Sequence, residues 1–257
     1  MDIEKRISSR MKCIAGMVTP GKRVADIGCD HAYTSIYLVE KGLAQNVVAM
    51  DVAEGPLKSA RKNIDSFGLG ERIETRLSDG MTALVPGETD AAIIAGMGGL
   101  LVIDILRRGM NVWQSGYELI LSPQSEIPEV RRFLRENGAK IIDEHMMQED
   151  GKYYNIIKAV SNDEKQSIYN DENTADATEE TGIDTKSSVP VVIGDNYGEK
   201  LIEKKSPVLR QYLVERLEKL SGIYCRLSKE TGERVVDRMA EVSQESREIE
   251  AVLELLK

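Results

Sequence analysis

The residues of this chain best placed to do chemistry are short acids and glycines in three runs. The first is Val-Ala-Asp-Ile-Gly-Cys-Asp-His-Ala-Tyr, Val24 to Tyr33. An apolar run that reaches a glycine reads as a strand ending at Gly28. Without a Cβ there, a ligand can approach the backbone. A dinucleotide fingerprint would place further glycines at the next fixed offsets, where this chain has Asp30 and Tyr33. A pyrophosphate would meet the carboxylate of Asp30, so NAD is disfavoured and a dehydrogenase is the weakest reading. Gly28 by itself also suits an ordinary strand-to-helix turn.

The second and third runs lie further along. Asp51 follows Gly28 by 23 residues, at the end of an apolar segment, where an acid accepts hydrogen bonds from ribose hydroxyls in nucleotide-binding α/β domains. Ser78-Asp79-Gly80 closes the next strand. Asp79 is placed to accept from an adenine exocyclic amine, and Gly80 leaves room for a ring. Singly, each acid also suits a helix N-cap or a solvated loop. Together they put small or acidic residues at three successive strand ends, along the edge where open α/β sheets bind ligands. S-adenosylmethionine (SAM) has no pyrophosphate and carries an ammonium and a sulfonium, and these acids suit its cationic groups. The expected cofactor positions are Asp26, Gly28, Asp30, Asp51, Val52, Ser78, Asp79, Gly80, Gly96, Met97 and Gly98.

Gly96-Met97-Gly98-Gly99 ends the fourth strand, where a methyl acceptor would sit. Enzymes that methylate amino groups often carry an acid or Asn followed by Pro-Pro there; this chain does not. Acceptor contacts therefore fall to backbone groups or to side chains from elsewhere. The candidates are Asp30, His31, Tyr33 and Gln124. His31 could instead cap its own helix, and Tyr33 could be a core residue.

The elements that must position these residues alternate. A leading helix is expected over about residues 3–18. Strands are expected at Arg23–Ile27, Val47–Val52, Ile73–Leu77, Ala91–Ala95 and Leu119–Leu121, with helices through Val39 and over about 56–67, 101–108 and 128–136. This rhythm predicts a parallel sheet covered on both faces. It breaks at Lys140–Met147 and Tyr153–Val160, two strands joined by Glu149-Asp150-Gly151 and therefore antiparallel. From Pro207 on, Leu209, Leu213, Leu217, Leu220, Tyr224 and Leu227 step by three or four. Val235, Met239, Val242, Ser246, Ile249, Leu253 and Leu256 repeat the pattern after a turn at Glu230–Glu233. Two long helices with one apolar stripe each predict a coiled-coil hairpin. Such a hairpin could serve only stability or dimerisation, and a monomer or weak homodimer is expected.

Composition sets the limits. The 257 residues suffice for one α/β domain and a smaller appendage. Three cysteines, Cys13, Cys29 and Cys225, are odd in number and form no CxxC pair, which predicts free thiols and no metal site. No apolar run approaches the roughly 20 residues that span a bilayer. No signal peptide is evident, so a cytoplasmic protein without membrane contact is expected. The net charge of −9 is concentrated: Asn162 to Ser188 holds eight acids and two bases, whereas Tyr197 to Lys257 is neutral. The acidic stretch lacks hydrophobic periodicity and reads as a flexible insert. The expected division is therefore a SAM-binding domain over 1–161, a linker over 162–196 and a helical domain over 197–257. Local basic patches can still meet phosphates.

The run VADIGCDHAYTSIYLVEKG, the block Leu77–Met81, the segment Ile93–Gly99 and the long C-terminal helices resemble the bacterial tRNA (adenine(22)-N1)-methyltransferases. The resemblance covers residues 1–161 well and the helical part in outline. It implies a Rossmann-like class I methyltransferase sheet joined to a C-terminal coiled-coil hairpin, with SAM as cofactor and the tRNA D-arm as partner. It also implies that Gly28, Asp30, Asp51, Asp79, Gly80 and Gly96 fall in the SAM pocket. The chain departs from the family after strand five, where Leu121-Ser122-Pro123-Gln124 stands in place of a Gln-Pro-Asn type sequence, and its acidic insert is longer. Methylation of another RNA, a protein or a small molecule, and a non-catalytic SAM- or RNA-binding adaptor, are the alternatives.

Overall fold

A computed structural model describes residues 2–162 and 189–257. The acidic insert read as flexible lies, from 163 to 188, outside the described residues. The chain divides into two compact units. Among the described residues, one comprises 2–145 and 154–162; the other comprises 146–153 and 189–257.

The strands are β1 (Lys22–Ile27), β2 (Ala44–Asp51), β3 (Ile73–Leu77), β4 (Ala91–Ala95), β5 (Glu118–Ser122), β6 (Ala139–Glu149) and β7 (Lys152–Ser161), the first unit holding all but the β6–β7 tip. They form one sheet in the order β3-β2-β1-β4-β5-β7-β6. The pairs β1–β2, β2–β3, β1–β4 and β4–β5 are parallel, and β5–β7 is antiparallel. This is the expected parallel sheet closed by an antiparallel hairpin at one edge. The inner strands lack polar alternation because both faces are covered: Val24, Ala25, Ala91, Ala92, Ile93, Ile94, Leu119, Ile120 and Leu121 are all buried. The hairpin between β6 and β7 turns on Asp150 (φ 50°) and Gly151 (φ 74°). Left-handed backbone at both central residues matches the right-handed twist of the flanking strands.

The helices are α1 (Ser9–Gly16), α2 (Tyr33–Glu40), α3 (Glu54–Ser66), α4 (Gly99–Arg108) and α5 (Ile127–Glu136). The leading helix is not continuous, contrary to the reading of 3–18 as one element. A 3-10 turn covers Ile3–Lys5, and α1 starts afresh where the Ser8 hydroxyl accepts a hydrogen bond from the Met11 N–H. A side chain that satisfies an orphan N–H begins a helix rather than extending one. On one side of the sheet, α4 and α5 supply Val102, Ile105, Leu106, Val130 and Leu134 to a core centred on Trp113, Leu119 and Leu121.

The second unit holds α6 (Val191–Tyr197), α7 (Glu199–Glu203), α8 (Pro207–Leu227) and α9 (Glu233–Leu255). Helix α6 occupies part of the stretch read as linker through residue 196, and Asp195 within it is buried. Leu209, Leu213, Leu220, Val242, Ile249, Val252 and Leu256 form the core of this unit with Met146 from the hairpin tip. Tyr224, read as part of the stripe, is exposed, and Val252 is buried beside Leu253. Arg216 of α8 grips Glu245 of α9 with two hydrogen bonds, of 2.6 and 3.0 Å.

Candidate active site at the sheet switch point

The chain runs outward from β1 to β3, then returns to place β4 on the other side of β1. The crevice at this reversal, beyond the carboxyl ends of β1 and β4, is where open α/β sheets bind ligands. Gly28 (φ 76°) and Gly96 (φ 82°) turn the chain on its two sides. A Cβ on Gly28 would stand 2.4 Å from the Met97 Cε, so the missing side chain lets these two loops meet. A Cβ on Gly96 would meet nothing within 4 Å, which leaves that turn open. The N–H groups of Gly28 and Cys29 both donate to the Met50 carbonyl, at 2.8 and 2.9 Å, tying the loop to β2.

The loop after β1 is conformationally strained. Asp30 (φ 48°) and Ala32 (φ 58°) are both left-handed. For a residue such as Ala this costs on the order of 1 kcal/mol. Asp30 and His31 are exposed, with His31 Nε2 3.7 Å from Asp30 Oδ1. His31 does not cap α2, whose N-cap is Ala32 with no side-chain hydrogen bond. The rings of His31 and Tyr33 lie 5.8 Å apart at 31°. Arg6 donates to the Tyr33 hydroxyl at 3.2 Å, and its guanidinium carbon lies 5.9 Å from the ring centroid. Tyr33 is therefore half-buried beneath a cation rather than a core residue.

Beneath this loop, Asp26 is buried and accepts a 2.6 Å hydrogen bond from the Ser35 hydroxyl of α2. Burial raises its carboxyl to about 6, against the lowering effect of Ser35 and with a smaller push from Asp51. Burial also pushes the Cys29 thiol up. That thiol is free, as are those of the other two cysteines. Asp51 ends β2 half-buried, and one carboxylate oxygen accepts from the Ala53 N–H at 3.0 Å. Val52 beside it is 69% exposed, unusual for an apolar residue at a sheet edge.

At β3 the structure qualifies two expectations. Ser78 is buried and structural: its hydroxyl donates to the Gly80 carbonyl and accepts from the Ala83 N–H. The room left by Gly80 (φ 62°) is taken by Ile105, whose side-chain atoms would lie 3.0 Å from a Cβ there. Asp79 is exposed, but both of its oxygens accept hydrogen bonds from Arg108, at 2.7 and 3.1 Å. That guanidinium holds the carboxyl below the usual carboxylate range.

After β4, Gly99 serves packing against the loop that follows β5. A Cβ on Gly99 would fall 2.4 Å from the Ser125 carbonyl oxygen and 2.9 Å from that of Glu126. The Gln124 N–H donates to the Met97 carbonyl at 2.9 Å, and the Gly99 N–H to the Ser125 carbonyl at 3.1 Å. These bonds lace the two loops together and place exposed Gln124 beside Met97. Sequence reasoning missed Ser35, Arg108 and the Ser125-Glu126 turn. Their partners lie 9, 29 and 26 residues away, and no periodic signal links them.

Asp30, Asp51 and Asp79 thus stand at successive strand ends, with Asp26 buried beneath them, beside an open glycine turn and without a phosphate-binding glycine repeat. This donor set fits a nucleoside that carries cationic groups, and so fits SAM. An open cavity of about 400 Å³ lies instead at the amino ends of β1 and β2, lined by Arg23, Gln45 and Arg72 among others. The left-handed backbone at Asp30 and Ala32 and the open turn at Gly96 lie at the opposite edge. Among the described residues, no group of three His, Cys, Asp or Glu side chains could hold a metal ion. None of the described helices is long and apolar enough to cross a membrane.

Fold and site define a class I methyltransferase, and residues 7–157 match the methyltransferase domain family. The chain is 36% identical over 160 residues to the tRNA (adenine(22)-N(1))-methyltransferase of Bacillus subtilis, covering 62% of this chain and 67% of that protein. The crystal structure of the Bacillus subtilis tRNA methyltransferase TrmK superposes with a TM-score of 0.79 at 27% identity, over 96% of this chain and 98% of the other. A Streptococcus pneumoniae protein described as a tRNA methyltransferase, solved with S-adenosyl-L-methionine, gives 0.76 at 28% identity over 96% and 99%. The chain belongs to the tRNA (adenine(22)-N1)-methyltransferase family.

Proposed function

We propose that this protein transfers the methyl group of SAM to N1 of an adenine in the D-arm of tRNA, at position 22. The observation that carries the reading is the likeness to the Bacillus subtilis enzyme, which extends over 96% of this chain and so includes the helical unit as well as the sheet. The sheet unit holds the cofactor, and the helical unit, α6 included, docks the tRNA.

Bound SAM supplies an electrophilic methyl group on a positively charged sulfur. The chain's own residues then do four things. Asp51 keeps one carboxylate oxygen, the one not bound by Ala53, for the ribose hydroxyls. Asp79 accepts from the adenine amine, and exposed Val52 offers the ring an apolar face. The Gly28 turn faces the amino-acid end, and the Asp26 carboxylate buried beneath it would favour the ammonium there. Gly96 leaves space for the acceptor base.

The acceptor nitrogen has an in-plane lone pair and is neutral at pH 7, so no strong base is required. Rate comes mainly from orientation. The product ring is cationic, and Asp30 with the carbonyl edge at Gly96 favours the developing charge. N1 lies on the pairing edge, so the base must leave its stack. Tyr33, held by Arg6 and flanked by His31, is a surface on which it can rest. Gln124 stands beside Met97 for the base edge. The test is nucleoside mass spectrometry of unmodified tRNA incubated with protein and SAM. The expected product is 1-methyladenosine, lost when the adenine at position 22 is replaced by guanine. A methyl group on any other atom, or none, overturns the reading.

A further inference from the structure

We infer that Arg108 is a positioning residue for the adenine end of the cofactor: its guanidinium fork fixes the plane of the Asp79 carboxylate, which then selects a purine bearing an amino group over one bearing an oxygen. The inference rests on the methyltransferase reading above.

Arg108 ends α4 and donates through both terminal nitrogens to the two oxygens of Asp79, at 2.7 and 3.1 Å. Its Nε lies 2.9 Å from Asp104 Oδ2 one helical turn earlier. The guanidinium is therefore held from two sides and cannot swivel freely. The end of α4 is itself locked to the loop after β3. Ile105 fills the space beside Gly80, and a Cβ on Gly109 would stand 2.7 Å from Met81 Sδ. The fork occupies one lone pair on each carboxylate oxygen, and the Asp79 side chain remains 62% exposed, so further acceptor positions face outward. An ion pair this exposed adds little to stability. Its geometry is better suited to presenting a fixed acceptor. A purine amine donates to such an acceptor; a purine oxygen is repelled by it.

The test is calorimetric titration of the full-length protein with S-adenosylhomocysteine and with S-inosylhomocysteine, in which an oxygen replaces the amine. Wild type is expected to bind the first and to prefer it. Arg108→Ala should weaken S-adenosylhomocysteine by about tenfold, the loss of one well-aligned charged hydrogen bond, and change S-inosylhomocysteine by less than about twofold, so that the preference collapses. Arg108→Lys keeps the charge without the fork and should fall between. Equal or tighter S-adenosylhomocysteine binding by Arg108→Ala, an equal loss of both ligands in both variants, or a wild type without preference would overturn the inference. A wild type that binds neither ligand would overturn the methyltransferase reading itself.

Discussion

The Ser35 hydroxyl donates to the Asp26 carboxylate at 2.6 Å inside the core, nine residues along the chain and in the first turn of α2. The bond eases the burial of the acid without cancelling it, and the carboxyl is pushed up to about 6 from 3.8. A group whose folded-state value is raised favours the fold below its unfolded value. That contribution fades as pH rises through the folded value. Unfolding free energy should therefore carry a component that falls between pH 4 and 6, on the order of 2–3 kcal/mol from this one group. Asp26→Asn, which cannot ionise, should flatten that part of the profile. Urea titrations across the range, on wild type and variant, measure it; an identical slope in both would assign the effect elsewhere.

Asp51 makes a simpler prediction. One of its oxygens is taken by the Ala53 N–H and the other is left for a ligand. Asp51→Ala should weaken SAM binding by roughly 1–3 kcal/mol, the scale of a lost hydrogen-bonded partner. NAD should give no heat of binding with either protein. Calorimetry with SAM unchanged in the variant would remove Asp51 from the site.

The sheet was legible in the sequence because its strands are buried on both faces and end on glycines or acids. Gly28, Asp51 and Gly96 stand at the strand ends where the pattern put them. The hairpin turn was equally plain, since Asp150-Gly151 tolerates left-handed backbone. What escaped notice depends on contacts between distant residues. Nothing near Gly99 announces that Ser125 and Glu126 will pack against it. Nothing near Asp79 announces Arg108, because α4 brings that side chain round only once it has docked on the loop after β3. The break at Ser8 shows the opposite failure. The signal was present, but the apolar spacing on either side of it suggested one continuous helix. The helix Val191–Tyr197 was hidden by its acidic neighbours.

The two glycines of the β4 turn should respond differently to alanine. At Gly99 the backbone conformation accepts any residue, but the new methyl would collide with two carbonyl oxygens of the neighbouring loop. Backbone cannot give way as a flexible side chain can, so Gly99→Ala should destabilise by about 1–3 kcal/mol. At Gly96 there is space but φ is 82°, so Gly96→Ala should lose only about 1–2 kcal/mol, the penalty for left-handed backbone. Thermal melts give the ranking. SAM affinity should suffer more at Gly96, whose open face looks into the crevice. Equal melting temperatures and equal affinities for the two variants would refute the assignment of packing to one glycine and ligand space to the other.

The last prediction concerns the helical hairpin. A tRNA is far larger than the crevice at the sheet edge, and phosphate contacts are the usual means of fixing the register of so large a ligand. Lys219 and Arg226 of α8 and Arg234 of α9 are exposed, away from the apolar stripe that closes the unit. Reversing their charge therefore leaves the core intact. The full-length triple variant Lys219→Glu, Arg226→Glu, Arg234→Glu should bind SAM normally and melt within a few degrees of wild type, since surface changes of this kind alter stability by only about 0.5 kcal/mol each. Binding of tRNA should weaken by one to several orders of magnitude, and its salt dependence should become shallower by roughly one unit for each phosphate no longer neutralised. Filter binding at several salt concentrations separates these quantities. A hairpin that serves only to stabilise or dimerise the protein gives another pattern: tRNA affinity and salt slope stay as in wild type, while sedimentation or melting shifts. That outcome would move the docking surface to basic residues of the sheet unit.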